Sequence, residues 1–475
     1  MSRRDCRSNV RLNADSLKTS LEWLLTCCVW PDVKWRTDCT WVSPMLLSAT
    51  ALLWAWSDES RVVDRFSTAR KIVLHLFSPR KVVGKTYQGF IKLLCCWTNK
   101  LVDPIVLTLR KQTQIVCRKH MEVAGFILFA IDGSRIELPR TQTHEQVFSS
   151  KKKRHQANKS ANKKGTKNKT NRARRPKTSA NTKKSEKPAM WITTLWHVGS
   201  GLPWDWRLGA TDSSERGHWM EMLSSITMPA MFVGDAGFVG YEYASAVLSA
   251  GHQLTIRVGS HVSLLKNLGY VRESNDIVYV WPDKSAKRQR LAPLVFRLVE
   301  SHNGKHPVYL ITSVTSKSKL SNTQVLSIYK SRWGIELFYR HLKQTFNKRK
   351  LRCTAPKQAY VEMQWAQLGL WCMGLYTVKE LIAAGIDPKR LSFAKLIHAF
   401  RRTMRDYLHP KIEGECLHSL LRKSVKDDYE RGDKTSREYP QKKKEKPPGK
   451  PKIQIANTTQ RQLASEIKAQ LRFTA

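Results

Sequence analysis

Three acidic residues, Asp132, Asp235 and Glu336, have the side-chain type that chemistry on a phosphodiester requires. Carboxylate oxygens are the hard ligands that Mg²⁺ prefers, and three of them can hold two such ions about 4 Å apart. One ion then activates a water or a 3′ hydroxyl, and the other stabilises the leaving oxygen. These residues therefore predict a catalytic site for two Mg²⁺ ions, which Mn²⁺ could replace.

Two of the acids directly follow short apolar segments. Residues 125–131 are apolar at every position, which is typical of a strand buried on both faces, and the segment runs into Asp132. Residues 230–234 run into Asp235 in the same way. Ligands gather at the carboxyl ends of strands in open α/β sheets, so both acids are predicted to end a strand at that edge.

The third acid belongs to a helical segment with the spacing Tyr-x2-Arg-x3-Glu-x6-Lys, formed by Tyr329, Arg332, Glu336 and Lys343. At about 100° per residue these four side chains fall on one narrow stripe of a single helix. A separate apolar face can dock on the sheet: Ile328, Ile335, Phe338, Leu342 and Phe346. Taken alone, Arg332 and Glu336 form a helical ion pair worth roughly a few tenths of a kcal/mol. Beside a metal site, Arg332 and Lys343 would instead bind the phosphates that flank the scissile bond.

The overall charge predicts a polyanionic partner. The 475 residues include 83 Lys and Arg against 38 Asp and Glu, a formal net charge of +45. The longest apolar stretches, 44–56 and 368–378, are shorter than the roughly 20 residues that span a bilayer, so a membrane is not expected as the partner. The first residues lack the apolar core of a secretion signal. Nucleic acid is the expected partner, in the cytoplasm and associated with the nucleoid.

The pattern along the chain divides it into five segments. A basic, low-complexity stretch at 149–187 is predicted to be disordered, acting either as a solubilising insertion or as a loop that condenses on DNA. No phosphate-binding Gly-x4-Gly-Lys loop and no nucleophile elbow occurs, so no other cofactor site is predicted. The segments are a helical DNA-binding region at 1–120, a first part of the core at 121–258, a β-rich insertion at 259–320, a second part of the core at 321–400, and a basic, largely flexible region at 401–475 with one short helix near 460–471.

Together these motifs resemble those of the bacterial insertion-sequence transposases of the DDE type. The resemblance rests on the Tyr-Arg-Glu-Lys spacing and on three blocks, Ile-Asp-Gly-Ser at 131–134, Gly-Asp-Ala-Gly-Phe-Val-Gly at 234–240 and Arg-Trp-Gly-Ile-Glu at 332–336. It covers roughly residues 125–400 apart from the Lys-rich stretch. It implies an α/β fold with a ribonuclease-H-like mixed sheet flanked by helices and interrupted by a β-rich insertion. The helical pattern adds an N-terminal domain.

The resemblance also implies an activity and roles for individual residues. Such enzymes move DNA by cut and paste: a homodimer forms on paired terminal inverted repeats, one strand is hydrolysed, and the freed 3′ hydroxyl attacks the other strand or the target DNA. Tyr329, Arg332 and Lys343 would contact the backbone near the cleaved end. Trp333 would either stack on a displaced base or pack under the insertion. Arg257 is a further candidate for a phosphate contact.

Two other readings stay open on the sequence alone. An inactive or repurposed derivative of such a transposase would bind DNA without cutting it. The presence of all three acids argues against this possibility. A ribonuclease-H-like nuclease would cut RNA or DNA without strand transfer. Metal-dependent nicking, joining and substrate preference separate the three possibilities.

Overall fold

The computed structural model describes residues 15–31, 41, 43–78, 83–150, 187–282, 289–302, 306–408, 415–427 and 449–473. Apart from its ends, the predicted basic insertion at 149–187 lies outside these residues. Within the described residues, no helix is long and apolar enough to cross a membrane.

The described N-terminal region is helical, as its apolar spacing predicts. It contains α1 (residues 15–25), α2 (Pro44–Trp56), α3 (Val62–Phe77) and α4 (Tyr87–Val116). Hydroxyl side chains begin two of these helices: Ser43 Oγ accepts a hydrogen bond from Leu46 N at 3.3 Å, and Thr86 Oγ1 accepts one from Gly89 N at 3.2 Å.

Five strands form the centre of the sheet. The elements in chain order are β1 (Glu122–Val123), β2 (Phe126–Glu137), α5 (Gln142–Phe148), β3 (Ala189–His197), β4 (Leu202–Gly209), α6 (Glu215–Leu223), β5 (Met231–Gly234), α7 (Tyr241–Ser249) and β6 (Gln253–Val258). The spatial order is β4-β3-β2-β5-β6, and β1 pairs with the first two residues of β2. β2, β3 and β4 are antiparallel neighbours, whereas β5 and β6 run parallel to β2. The predicted ribonuclease-H-like mixed sheet is therefore confirmed.

The predicted β-rich insertion extends this sheet instead of folding separately. It supplies β7 (Ser263–Lys266), β8 (Ile277–Val280), β9 (Leu294–His302) and β10 (Pro307–Thr312). β10 pairs antiparallel with β6, and β9, β8 and β7 follow outward in turn. The insertion strands are thus hydrogen-bonded to the core through β6, which ties them rigidly to the strand that carries Arg257.

Helices cover the second part of the core. They are α8 (Asn322–Ser331), α9 (Trp333–Lys343), α10 (Pro356–Ala383), α11 (Phe393–Leu408) and α12 (Leu417–Arg422). α10 is buried along most of its length and packs against α2 and α4. Trp56 Nε1 donates to Gly369 O at 3.1 Å, and Trp365 Nε1 donates to Thr98 Oγ1 at 3.1 Å. The N-terminal helices therefore share one hydrophobic core with the catalytic part of the chain.

The C-terminal region is more ordered than its composition predicts. The expected helix near 460–471 is confirmed as α13 (Thr458–Phe473). Ahead of it, β11 (Lys452–Ile455) pairs parallel with β7 at the edge of the sheet, although flexible chain is predicted there. Ala464 and Ile467 of α13 are buried against the insertion strands. Main-chain pairing with an open strand edge supplies this order, and neither charge nor proline content reveals it.

Candidate active site

Asp132 and Asp235 lie side by side on neighbouring parallel strands. Ala130 of β2 is opposite Val233 of β5, so two residues further on the two aspartates come level. Ala130 and Val233 both face the core beneath α9. Side chains alternate along a strand, so Asp132 and Asp235 face the same way. Neighbouring strands are about 4.8 Å apart, which makes the two carboxylates close neighbours on one face.

The two strands end differently from each other. The prediction that the first strand ends at Asp132 is wrong, because β3 continues to pair with β2 as far as Glu137. β5 does end at Gly234, as predicted, and Asp235 Oδ1 then accepts a hydrogen bond from Gly237 N at 2.8 Å. At Asp132, β2 is still paired with β3 but no longer with β5. The edge of β2 that faced β5 is therefore open at this point.

The helix that carries Glu336 crosses the face on which both aspartates lie. Tyr339 of α9 donates its hydroxyl hydrogen to Asp132 O at 2.8 Å, which fixes the helix over β2. Arg332 Nη2 bonds Glu336 Oε1 at 2.5 Å. Burial lowers the pKa of Arg332, but Tyr329, Glu336 and Asp132 together outweigh it and raise that pKa above its usual value. The guanidinium thus lies between two of the three acids.

The predicted single helix is wrong at one point. α8 ends at Ser331 and α9 begins at Trp333, so the stripe drawn on one unbroken helix does not hold across Arg332. The break consists of tight turns, because Arg332 N bonds Tyr329 O and Ile335 N bonds Arg332 O. The apolar face is confirmed as buried: Ile328, Ile335, Phe338, Leu342 and Phe346.

Negative charge is crowded at the two aspartates. The pKa of Asp132 is raised to about 7: burial is the main cause, Glu215 and Asp235 add to the rise, and Arg332 and the Gly133 N–H oppose it. Carboxylates that lie this close together in a buried site are short of nearby positive charge. A bound divalent cation would relieve that shortage.

The donor chemistry of the site therefore fits a divalent cation such as Mg²⁺. As placed, no three His, Cys, Asp or Glu side chains among the described residues are close enough to share a metal ion. Glu336 would have to release its ion pair with Arg332 in order to bind the metal ion. One buried polar atom at the site, Arg332 Nε, lacks a hydrogen-bond partner in the described part of the chain. An unpaired buried N–H is costly, and a phosphate oxygen of a substrate would pair it.

Comparison with known families decides what kind of protein this is. A model of the transposase DDE domain matches residues 124–372, more than half of the chain. The chain belongs to the DDE-domain transposases. Enzymes with this domain generally use divalent metal ions. No curated protein matches the chain. A cryo-EM structure of the piggyBac transposase synaptic complex with hairpin DNA matches at 11% identity and a TM-score of 0.35, covering 91% of this chain and 86% of that one.

Arg257 of the transposase continues the row of charged side chains across the sheet. Gly234 of β5 is opposite Ile256 of β6, so the next residues, Asp235 and Arg257, come level. Ile256 belongs to the core on the α6 side, and its neighbour Arg257 therefore faces the opposite way, with the aspartates. Asp132 of β2, Asp235 directly after β5 and Arg257 of β6 thus lie at one height across three adjacent parallel strands. No carboxylate within the described residues pairs with Arg257 at salt-bridge distance.

The remaining predicted contact residues lie along α8 and α9. Tyr329 is half-buried, and the Arg332 guanidinium is 5.8 Å from the centre of its ring. Lys343 is half-buried at the end of α9; burial and Arg349 lower its pKa, while Asp132 opposes that shift. Trp333 is 58% exposed, so the alternative in which it packs under the insertion is wrong.

A basic groove of about 690 Å³ lies between the start of α3 and the loop after α9. Its exposed cations are Arg61, Arg349, Lys350 and Arg352. Glu137 N donates to Arg349 O at 3.0 Å, and Leu351 N donates to Glu137 O at 3.0 Å, so the loop is fixed to the end of β2. The groove therefore begins five residues from Asp132 along the same strand.

Two features of this region escaped prediction from the sequence. The basic loop at 347–352 begins four residues after Lys343, and its run of Lys and Arg is a signal that the sequence does contain. Glu215 had no such signal, because a Glu at a helix start is ordinary. Its position beside Asp132 becomes visible only in three dimensions.

Proposed function

We propose that this transposase cuts and rejoins DNA at the ends of a mobile element, with Asp132, Asp235 and Glu336 as its catalytic metal ligands. The observation that carries the proposal is the alignment of the two aspartates on one face of the sheet, beneath the helix that bears Glu336. Two Mg²⁺ ions held there, or Mn²⁺ in their place, would activate the attacking oxygen and stabilise the leaving oxygen.

Arg332 has the clearest role among the surrounding side chains. Its Nε is buried without a partner among the residues that the structure describes, and a guanidinium binds phosphate oxygens well. A phosphate bound to Arg332 would compete with Glu336 for the guanidinium charge. We therefore expect substrate binding to release the Glu336 carboxylate toward the metal ligands Asp132 and Asp235.

The other predicted contacts would hold the DNA on either side of the reacting phosphate. Arg257 lies beside Asp235 at one end of the row, and Lys343 lies near Asp132 at the other, so both can bind flanking phosphates. Tyr329 would contact the backbone next to Arg332. Exposed Trp333 would stack on a displaced base. Tyr329, Arg332, Glu336 and Lys343 fit the bacterial insertion-sequence type of DDE transposase, which implies a homodimer on paired terminal inverted repeats.

The test is a cleavage and joining assay with purified protein. A duplex that ends in the terminal inverted repeat of the protein's own element is incubated with Mg²⁺ or with EDTA. Metal-dependent nicking followed by joining supports the proposal. Binding without nicking would indicate a repurposed DNA-binding protein, and cutting of unrelated substrates without joining would indicate a ribonuclease-H-like nuclease.

The basic groove supplies a second prediction, about DNA affinity. We expect the triple variant R349A/K350A/R352A to bind DNA less tightly and with a weaker salt dependence. Each lost phosphate contact should reduce the slope of log affinity against log salt by about 0.9, so the three together reduce it by roughly 2 to 3. The slope is measured by fluorescence anisotropy between low and physiological salt.

A matched variant separates local contacts from the loss of overall charge. K452A/R461A/K468A removes the same charge from β11 and α13, which lie seven strand positions away from β2. Its salt slope should stay near that of the wild type. Equal slopes for the two triple variants would mean that the groove makes no specific contact.

A further inference from the structure

Tyr339 joins the helix that carries Glu336 to the strand that carries Asp132. Its side chain is buried in the middle of α9. Tyr339 Oη donates to Asp132 O at 2.8 Å and lies 3.4 Å from Ile192 O of β3. Positions 132 and 339 are 207 residues apart in the chain. One hydroxyl therefore connects two segments of the proposed site that are distant in the sequence.

The bond is made where β2 has the least support from its neighbours. β5 pairs with β2 as far as Ala130, whereas β3 pairs with it as far as Glu137. Among the described strands, β2 at Asp132 is thus paired along one edge only. The Tyr339 hydroxyl adds a contact from the face of the sheet to the Asp132 carbonyl itself. It therefore restrains the main chain at the residue whose carboxylate is proposed to act.

Apolar packing alone would not define this position closely. Ile335, Phe338 and Leu342 bury one side of α9 in the core, and the Phe338 ring is 5.0 Å from the ring of Trp196. Apolar attraction has no preferred direction, whereas a hydrogen bond weakens steeply as its angle departs from linear. The Tyr339 hydroxyl therefore supplies the directional contact that the apolar side of α9 lacks.

The first turn of α9 has no side-chain cap that could fix it. Arg332, which precedes the helix, makes no capping hydrogen bond to its main chain. The Arg332 side chain bonds Glu336 Oε1 instead. That ion pair lies within the start of the helix and does not fix the helix to the sheet. Tyr339 follows Glu336 by three residues, almost one helical turn, so it is well placed to hold the turn that carries Glu336.

We infer that Tyr339 is a positioning residue for the proposed cleavage reaction: its hydroxyl sets the placement of α9, and with it Glu336, relative to Asp132. The inference rests on the proposed function and adds a residue that acts through the two acids. Reacting groups must be held to within about 0.5 Å, and a displacement of about 1 Å can reduce a rate about 100-fold. Loss of the hydroxyl should therefore reduce the rate of cleavage and not the affinity for DNA.

The test compares two Tyr-to-Phe variants of the full chain. Y339F keeps the aromatic ring and its packing and removes only the hydroxyl. Y376F is the matched control, because Tyr376 is also buried and its hydroxyl lies 2.9 Å from His418 Nε2, where it joins α10 to α12. Each variant loses one hydrogen bond, so similar, small reductions in the unfolding temperature are expected.

Amide hydrogen exchange without DNA or metal reports on the placement of α9 directly. Loss of one hydrogen bond should make the amides of 333–343 and 128–137 exchange about 3-fold to 10-fold faster in Y339F. The same segments should exchange at the wild-type rate in Y376F, because its lost contact lies between other helices.

Nicking of the terminal-repeat duplex separates positioning from general stability. At saturating duplex with Mg²⁺, Y339F should nick at least about 10-fold more slowly than wild type, while its affinity for the duplex in EDTA stays within about 2-fold. Y376F should match wild type in both measurements. A hydroxyl that only stabilised the fold would not divide rate from affinity in this way.

The outcomes also separate this inference from the proposed function. Nicking by Y339F at the rate of Y376F, or unchanged exchange in α9, overturns the role of Tyr339 and leaves the three-acid proposal intact. Equal losses of rate in the two variants overturn that role as well, since they would reflect stability. Wild-type protein that does not nick the duplex with Mg²⁺ overturns the proposed function, and the role of Tyr339 with it.

Discussion

Replacement of Glu336 by Gln is expected to abolish DNA cleavage and leave the binding of element ends nearly unchanged. Gln keeps the size of the side chain and can still accept the hydrogen bond from Arg332, so the helix and the guanidinium stay in place. It lacks the charge that a divalent cation requires. Substitution of a residue that hydrogen-bonds to a metal ligand already reduces metal affinity or activity by about 10-fold to 100-fold. Loss of a ligand itself should therefore reduce the nicking rate by more than about 100-fold.

Two measurements on the same preparation check this result. Nicking of a labelled duplex is followed with Mg²⁺, and the affinity for the same duplex is measured with EDTA. R340Q serves as a control, because Arg340 is exposed on α9 while Tyr339 and Leu342 hold the helix. Cleavage by E336Q at a rate near that of wild type would contradict the assignment of Glu336 as a metal ligand.

Local signals in the sequence predict part of the fold around the proposed site. An apolar segment that runs into Asp235 is sufficient to place that carboxylate at the end of β5. The apolar spacing around Phe338 likewise predicts which side of α9 is buried. These features depend on neighbours in the chain, so their pattern survives in the sequence.

Features that depend on distant partners were not predictable in the same way. β2 continues through the polar residues after Asp132 only because β3 supplies hydrogen bonds to them. β11 is ordered by pairing with β7, about 190 residues earlier in the chain. Glu215 reaches Asp132 through the packing of α6 on the sheet and the missing side chain at Gly133. In each case the deciding contact joins segments whose pairing no local pattern encodes.

Contacts between the N-terminal helices and the catalytic core lead to the second large prediction. Glu362 of α10 is buried between two cations, with Lys348 Nζ at 2.6 Å and Arg65 Nη1 at 3.4 Å. Burial raises the pKa of Glu362, but Lys348 and Arg65 outweigh it and hold that pKa below its usual value. Arg65 belongs to α3 and Lys348 to the loop after α9, so this cluster joins the N-terminal region to the basic groove.

Glu362→Gln is expected to lower the free energy of unfolding by about 3 to 5 kcal/mol, because it leaves two buried cations without a counter-charge. Chemical denaturation followed by tryptophan fluorescence measures the change. D58N is the control, since it removes the exposed Asp58–Arg405 pair and should cost less than about 1 kcal/mol.

The pH dependence gives an independent check on the cause. A carboxylate whose pKa is lowered in the folded protein contributes stability above its ordinary pKa, and that contribution is lost as the pH falls through the lowered value. The difference between wild type and E362Q should therefore be complete at neutral pH and shrink in acid, where Glu362 of the wild type becomes protonated and resembles Gln. A difference that stayed constant into acid would mean that the shape of the side chain, and not its charge, holds α3 and α10 to the loop after α9.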